Sequence, residues 1–548
     1  MARKIQAAPA AHEAARAALA APSALVALVT ALASALAVLA TVLLSAIVFS
    51  TASFANAAGQ GHSYDIKRYD ISIEPNFNTK AVYVTAKVAI SNPRLEQNFS
   101  FGLSEQYGSV SVTSDASPVT VERAEGAINV LVEKPTTDFE LTFQVRGVPG
   151  RSGDEDLEIV SDSSLFLLWS DRFYPIDFND WALLRMRIKL PENFNVVAPG
   201  RLLETQRDND RIEYTFQTSA PVVCFSVLAD SRWIKTEKRI RFLRMQTYLY
   251  PESQKFAGRI FSSSYDVVAF YSQIYCLYPF DRFTFVTIKN LHARRAFPGF
   301  VAYSPEYLEK EMTATGHDAH ETALLWWDYT TRGMGPGAFQ WTEGFGDYAE
   351  LLYDETRGKP MPSIFETFRA KYLARPPEED LLYYELKGNT PQDIVHGKFP
   401  WLMRVMQFVV GDAPFKNAMA LLFYDYRFRA FSMDELVSVL EKGSGQSLKW
   451  WREEWLERRG VPAISFKYDA ARDKSDYKVT VVLRQVGPVY HLPMEIGIKT
   501  AKGLRIEKVN VNSQESTFTF RSVDQPEEVL LDPNRWIIMR TTYEKSAE

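Results

Sequence analysis

His320-Glu321-Thr322-Ala323-Leu324, followed after eighteen intervening residues by Glu343, is the stretch on which the reading of this chain turns. A zinc-hydrolase helix reads H-E-x-x-H, because His at i and i+4 share one helical face and reach a single metal. The Glu beside the first His activates a metal-bound water, and a Glu from further along the chain completes the ligand set. His320, Glu321 and Glu343 keep that register. At the second His position stands Leu324, whose side chain has no lone pair to offer.

The flanking residues carry a family resemblance. His320-Glu321-Thr322-Ala323-Leu324-Leu325-Trp326-Trp327 resembles the metal helix of the aminopeptidase N family of gluzincins, which typically continues Gln-Trp-Phe-Gly. Trp341-Thr342-Glu343-Gly344-Phe345-Gly346-Asp347-Tyr348 is similar to the Asn-Glu-Gly-Phe-Ala-x-Tyr run around that family's third ligand. The resemblance extends over roughly residues 64 to 548. It implies a multidomain α+β chain: an N-terminal β-sandwich-like domain, a thermolysin-like mixed domain of the catalytic type, and a C-terminal β-sandwich. The large helical C-terminal domain of the longest members is missing from this order.

Composition agrees with several folded domains. The chain has 548 residues, 46% of them hydrophobic and 13% aromatic, which is too long for one core and ample for more than one. Near the N-terminus, Ala24 to Phe49 is free of charge, preceded by Arg3, Lys4 and Arg16 and followed by Ala55-Asn56-Ala57. A positive flank, an apolar run and an A-x-A site read as a secretory signal over 1–57. The run is also long enough to stay in a bilayer as an anchor through 24–49. Both readings place the remainder outside the membrane, in the periplasm or another extracytoplasmic space. Arg3, Lys4, Arg16 and Glu13 give the leader +2, so the remainder carries −7 against −5 for the whole chain. That balance argues against a nucleic-acid partner. Export permits a disulfide between Cys224 and Cys276, the only two cysteines, but two buried thiols are an equal reading.

Along the chain, residues 64–235 read as an all-β domain, with Val82 to Ile90 and Leu141 to Val145 rich in strand formers. From 236 to 460 the hydrophobic period lengthens into a peptidase-like domain. Ser304-Pro305-Glu306 reads as a helix start and Ser432-Met433-Asp434-Glu435 as a capping box. Leu448, Trp451 and Trp455 share one helical face ahead of Gly460 and Pro462. Strands return over 461–548, at Tyr477 to Val486, Leu492 to Thr500, Leu504 to Val511 and Ser516 to Phe520.

The resemblance assigns three functional elements. It makes His320 and Glu343 metal ligands for zinc and Glu321 the general base, with the site weakened by Leu324. His317, one turn before His320, is a possible substitute ligand. In relatives a Gly-x-Met-Glu-Asn loop grips the substrate's free ammonium through its Glu. The matching substrate loop here runs Ala293-Arg294-Arg295-Ala296-Phe297-Pro298-Gly299-Phe300-Val301, with Ala296 at the carboxylate position. Aligning on Lys398 and Gly411 puts His396 where relatives carry a Tyr that donates to the oxyanion. Trp326, Trp327, Trp450, Trp451 and Trp455 read as core packing or cleft wall.

Two functions compete. The first is an exported, catalytically silent homologue that binds a peptide or protein ligand, anionic by the charge of Arg294 and Arg295. The second is a zinc metallopeptidase with a rewired metal shell and a preference for anionic substrates. Three departures in one chain, at the ligand, the amine grip and the oxyanion donor, favour the first.

Overall fold

Alternation of β-formers in the first third of the chain produces a seven-stranded sheet in the computed structural model, which describes residues 63–150, 157–314, 319–359, 361 and 363–543. Its strands run Arg201–Asp208, Arg211–Gln217, Leu183–Pro191, Asp65–Asn76, Ala81–Ser91, Asp138–Gly147 and Ser109–Ser114 across the sheet. All neighbours are antiparallel except Asp65–Asn76 and Leu183–Pro191, which pair in parallel. Successive side chains of a strand point to opposite faces, so Val82, Val84, Ala86, Val88 and Ile90 are all buried on one of them. Leu184, Met186, Ile188 and Leu190 join the same core.

A five-stranded sheet opens the next region, where the lengthening period had suggested helices. Its order is Ile234–Ile240, Leu243–Leu249, Phe283–Thr287, Phe300–Tyr303 and Arg294–Phe297. Phe283–Thr287 and Phe300–Tyr303 are buried at every position. A strand covered on both faces has no reason to alternate, which is why period alone does not reveal it. Arg294–Phe297 forms one edge, folded back on Phe300–Tyr303 through Gly299 at φ +83°.

Helices follow: Pro305–Ala314, Ala319–Trp327, Ala338–Thr356, Ser363–Ala374, Gln392–Gly397, Phe399–Val410, Asp412–Asp425, Met433–Ser444 and Lys449–Trp455. The expected start at Ser304 is present, with its Oγ accepting from the Tyr307 N–H at 3.1 Å. So is the capping box of Ser432 and Glu435. Every residue of Ala319–Trp327 is buried, so this short helix is the centre of the region. Trp326 and Trp327 pack against Tyr271 and Phe423, and Trp451 and Trp455 are likewise core. Two further sheets end the chain. One has four strands, Glu515–Ser522, Asp476–Gln485, Ala463–Asp473 and Arg540–Tyr543. The other has three, Gly503–Val511, Leu492–Thr500 and Pro526–Leu531.

The molecule is thus a mixed, multi-sheet α+β protein with a large β-rich N-terminal region and a helical region. Its two cysteines are unbridged: Cys224 is buried and Cys276 half-buried. No helix among the described residues is long and apolar enough to cross a membrane. The apolar run 24–49, the Ala57 cleavage position and His317 all lie outside those residues.

Candidate functional site

Two helices bring the sequence-predicted ligands together. Ala319–Trp327 places His320 and Leu324 one turn apart on the same face, and Ala338–Thr356 does the same for Glu343 and Asp347. The helices approach closely because Gly346 has no side chain. A Cβ built there would stand 3.0 Å from Leu324 Cδ2 and 3.3 Å from His320 Cε1. His320 Nε2 lies 3.3 Å from Glu343 Oε2, the pair expected from the spacing. Leu324 is buried against Gly346, so an apolar group stands on the ligand-bearing face.

Asp347, which the sequence did not single out, organises the imidazoles. Its Oδ1 is 2.9 Å from His320 Nδ1, close in distance though not in line with the N–H. Its Oδ2 is 2.6 Å from His396 Nδ1, and His396 Nε2 meets Gln392 Oε1 at 2.8 Å. Both nitrogens of His396 therefore face protein partners. Burial opposes charge on His320, but Asp347 and Glu343 outweigh it and hold the imidazole well above its ordinary range. Burial likewise opposes charge on Asp347, yet His396 and His320 keep its carboxyl below the usual carboxylate range. The i, i+4 spacing from Glu343 was the available signal for Asp347.

Glu321 is buried, and its carboxylate faces Arg294, whose Nε is 3.1 Å from Oε1. Burial pushes the Glu321 carboxyl above its ordinary value, while His320 and Arg294 pull it back. The residues expected as a substrate loop are not a loop: Arg294, Arg295 and Ala296 lie in the edge strand Arg294–Phe297. Pairing with Phe300–Tyr303 supplies the ladder that rigidifies them, and the Ala296 carbonyl also accepts from Tyr329 Oη at 2.7 Å. The Arg294 guanidinium lies 5.5 Å from the centre of the Tyr307 ring, a cation–π contact absent from the sequence reading.

Among the described residues the donor set falls short of a peptidase zinc. Such a site needs three protein ligands around an open fourth position. His320 and Glu343 are two, Leu324 offers none, and Glu321 is engaged by a guanidinium. Among the described residues no group of three or more His, Cys, Asp or Glu side chains is placed to hold a metal ion. What the arrangement provides is a buried, internally paired polar cluster.

No protein-family model matches the chain, and no curated protein matches it. Among solved structures the chain is similar to the crystal structure of Legionella pneumophila aminopeptidase A in complex with aspartic acid, with a TM-score of 0.68 and 13% identity. The match covers 89% of this chain but only 60% of that one. At such identity the likeness speaks to architecture alone. The chain has a fold shared with an aminopeptidase.

Proposed function

We propose that this chain is an exported, catalytically silent relative of the aminopeptidase N-type gluzincins, with a thermolysin-like middle domain, serving as a binding module for peptides or proteins. The observation that carries the reading is Leu324, buried on the ligand face where the second His belongs, while Glu321 is held by Arg294. A general base locked in an ion pair and lacking a full metal shell cannot activate water as a peptidase does. Zinc is weakly held. The ligand is anionic on this reading, because Arg295 adds positive charge to the strand beside the cluster, Arg294 being engaged with Glu321.

The test uses the chain without its leader. Metal analysis after dialysis should give well under one zinc per chain, and neutral amino-acid amides should not be turned over. Titration with acidic and basic peptide sets should favour the acidic ones, and Arg295→Ala should weaken them. One zinc per chain together with turnover that Glu321→Gln abolishes would replace this reading with its rival. The rival, a metallopeptidase selective for anionic substrates, has one observation in its favour. His320 presents Nε2 to Glu343 while a carboxylate backs Nδ1, the orientation of a metal-bound imidazole.

A further inference from the structure

A buried carboxylate needs a cation beside it, and in an H-E-x-x-H site the metal is the largest local charge. In this protein the side chain of Glu321 is 7% exposed, and the cation 3.1 Å away is Arg294. Two elements hold that guanidinium. The strand Arg294–Phe297 fixes its backbone, with Arg294 opposite Tyr303. The ring of Tyr307 lies 5.5 Å beneath it. The helix Pro305–Ala314 that carries Tyr307 is anchored at its start by the Ser304 hydroxyl. The arginine side chain is itself only 20% exposed, so the pair works in a poorly solvated place.

We infer that Arg294 is the resident cation of this cluster: its guanidinium takes the charge role that a metal would have beside Glu321, so the cluster is complete without one. The inference rests on the silent-relative reading and goes further, because it makes the site closed to zinc on two grounds, either of which suffices while the other remains. Leu324 removes a ligand, and Arg294 repels a dication from the position next to Glu321. Restoring the ligand alone therefore does not restore the site.

A double-mutant cycle tests this, with zinc affinity measured by chelator competition on the wild type, Leu324→His, Arg294→Ala and the double variant. The single variants are expected to gain less than about threefold each, and the double variant about a hundredfold or more, well beyond their product of about tenfold. A Leu324→His protein that binds zinc as tightly as the double variant overturns the inference. A second readout needs no metal. Arg294→Ala should lower the thermal midpoint, and Glu321→Gln in the same chain should recover much of the loss. A side chain that served packing alone would not be rescued by changing Glu321, and that result also overturns it. If Arg294→Ala does not fold, Arg294→Met with Glu321→Gln carries the same comparison. Turnover by the wild type would sink the silent-relative reading; an inactive, zinc-free wild type with a purely additive cycle would sink this inference alone.

Discussion

Asp347 and His396 are joined by a 2.6 Å contact between Oδ2 and Nδ1 that ties the helix Ala338–Thr356 to the helix Gln392–Gly397. The same carboxylate reaches toward His320 with its other oxygen, so one buried charge serves two imidazoles on two different helices.

Asp347→Asn keeps the shape and removes the charge. Breaking a buried pair by neutralising one partner leaves the other uncompensated, at a cost of about 3 kcal/mol. Thermal or denaturant unfolding should show a loss of that order, with partial recovery when His396→Gln is added. An Asp347→Asn protein that melts with the parent would show that the bridge contributes nothing.

Gly346→Ala should destabilise by about 1–3 kcal/mol, because the new methyl meets Leu324 Cδ2 at 3.0 Å and His320 Cε1 at 3.3 Å. The neighbour best able to yield is Leu324. Adding Leu324→Ala should make the pair of substitutions cost less than their separate effects, as read from unfolding midpoints. Strict additivity would mean that the helices separate instead of repacking.

The two thiols should differ in reactivity. Burial pushes the Cys224 thiol up to about 11, against the opposing pull of Arg332 3.3 Å away, and Cys224 is fully enclosed. The thiolate is the reactive form, so at pH near 8 alkylation should label half-buried Cys276 first and reach Cys224 only on unfolding. Peptide mass spectrometry after timed labelling separates the two. Equal rates would contradict the burial.

Asp532 gives stability a pH dependence of definite sign. Burial raises its carboxyl from 3.8 to about 6, although the N–H groups of Ile537 and Trp536 donate to it. A raised acid binds its proton more tightly in the folded state. Its contribution is therefore full below pH 3.8 and is lost as pH rises through 6, by at most about 3 kcal/mol. Unfolding free energy measured across that window should fall with pH by this component, and Asp532→Asn should flatten it. An unchanged slope in the variant would refute the assignment.

Local sequence determined a good deal of this protein. The strand over Ala81–Ser91, the capped helix over Met433–Ser444 and the C-terminal strands follow from short-range period, propensity and capping, which act within a few residues. The meeting of His320 with Glu343 was legible too, because helical spacing and one interhelical contact suffice to bring them together. Tertiary structure decided the rest. The strand holding Arg294 and Arg295 looked like a loop because its partner, Phe300–Tyr303, is what makes it a strand. Asp347 acquired its role only when His396, forty-nine residues away, was brought against it. Whether Arg294 faced a ligand or its own chain turned on the register of one edge strand beside one buried helix. Such pairings are set by which surfaces pack together, and no local propensity encodes them.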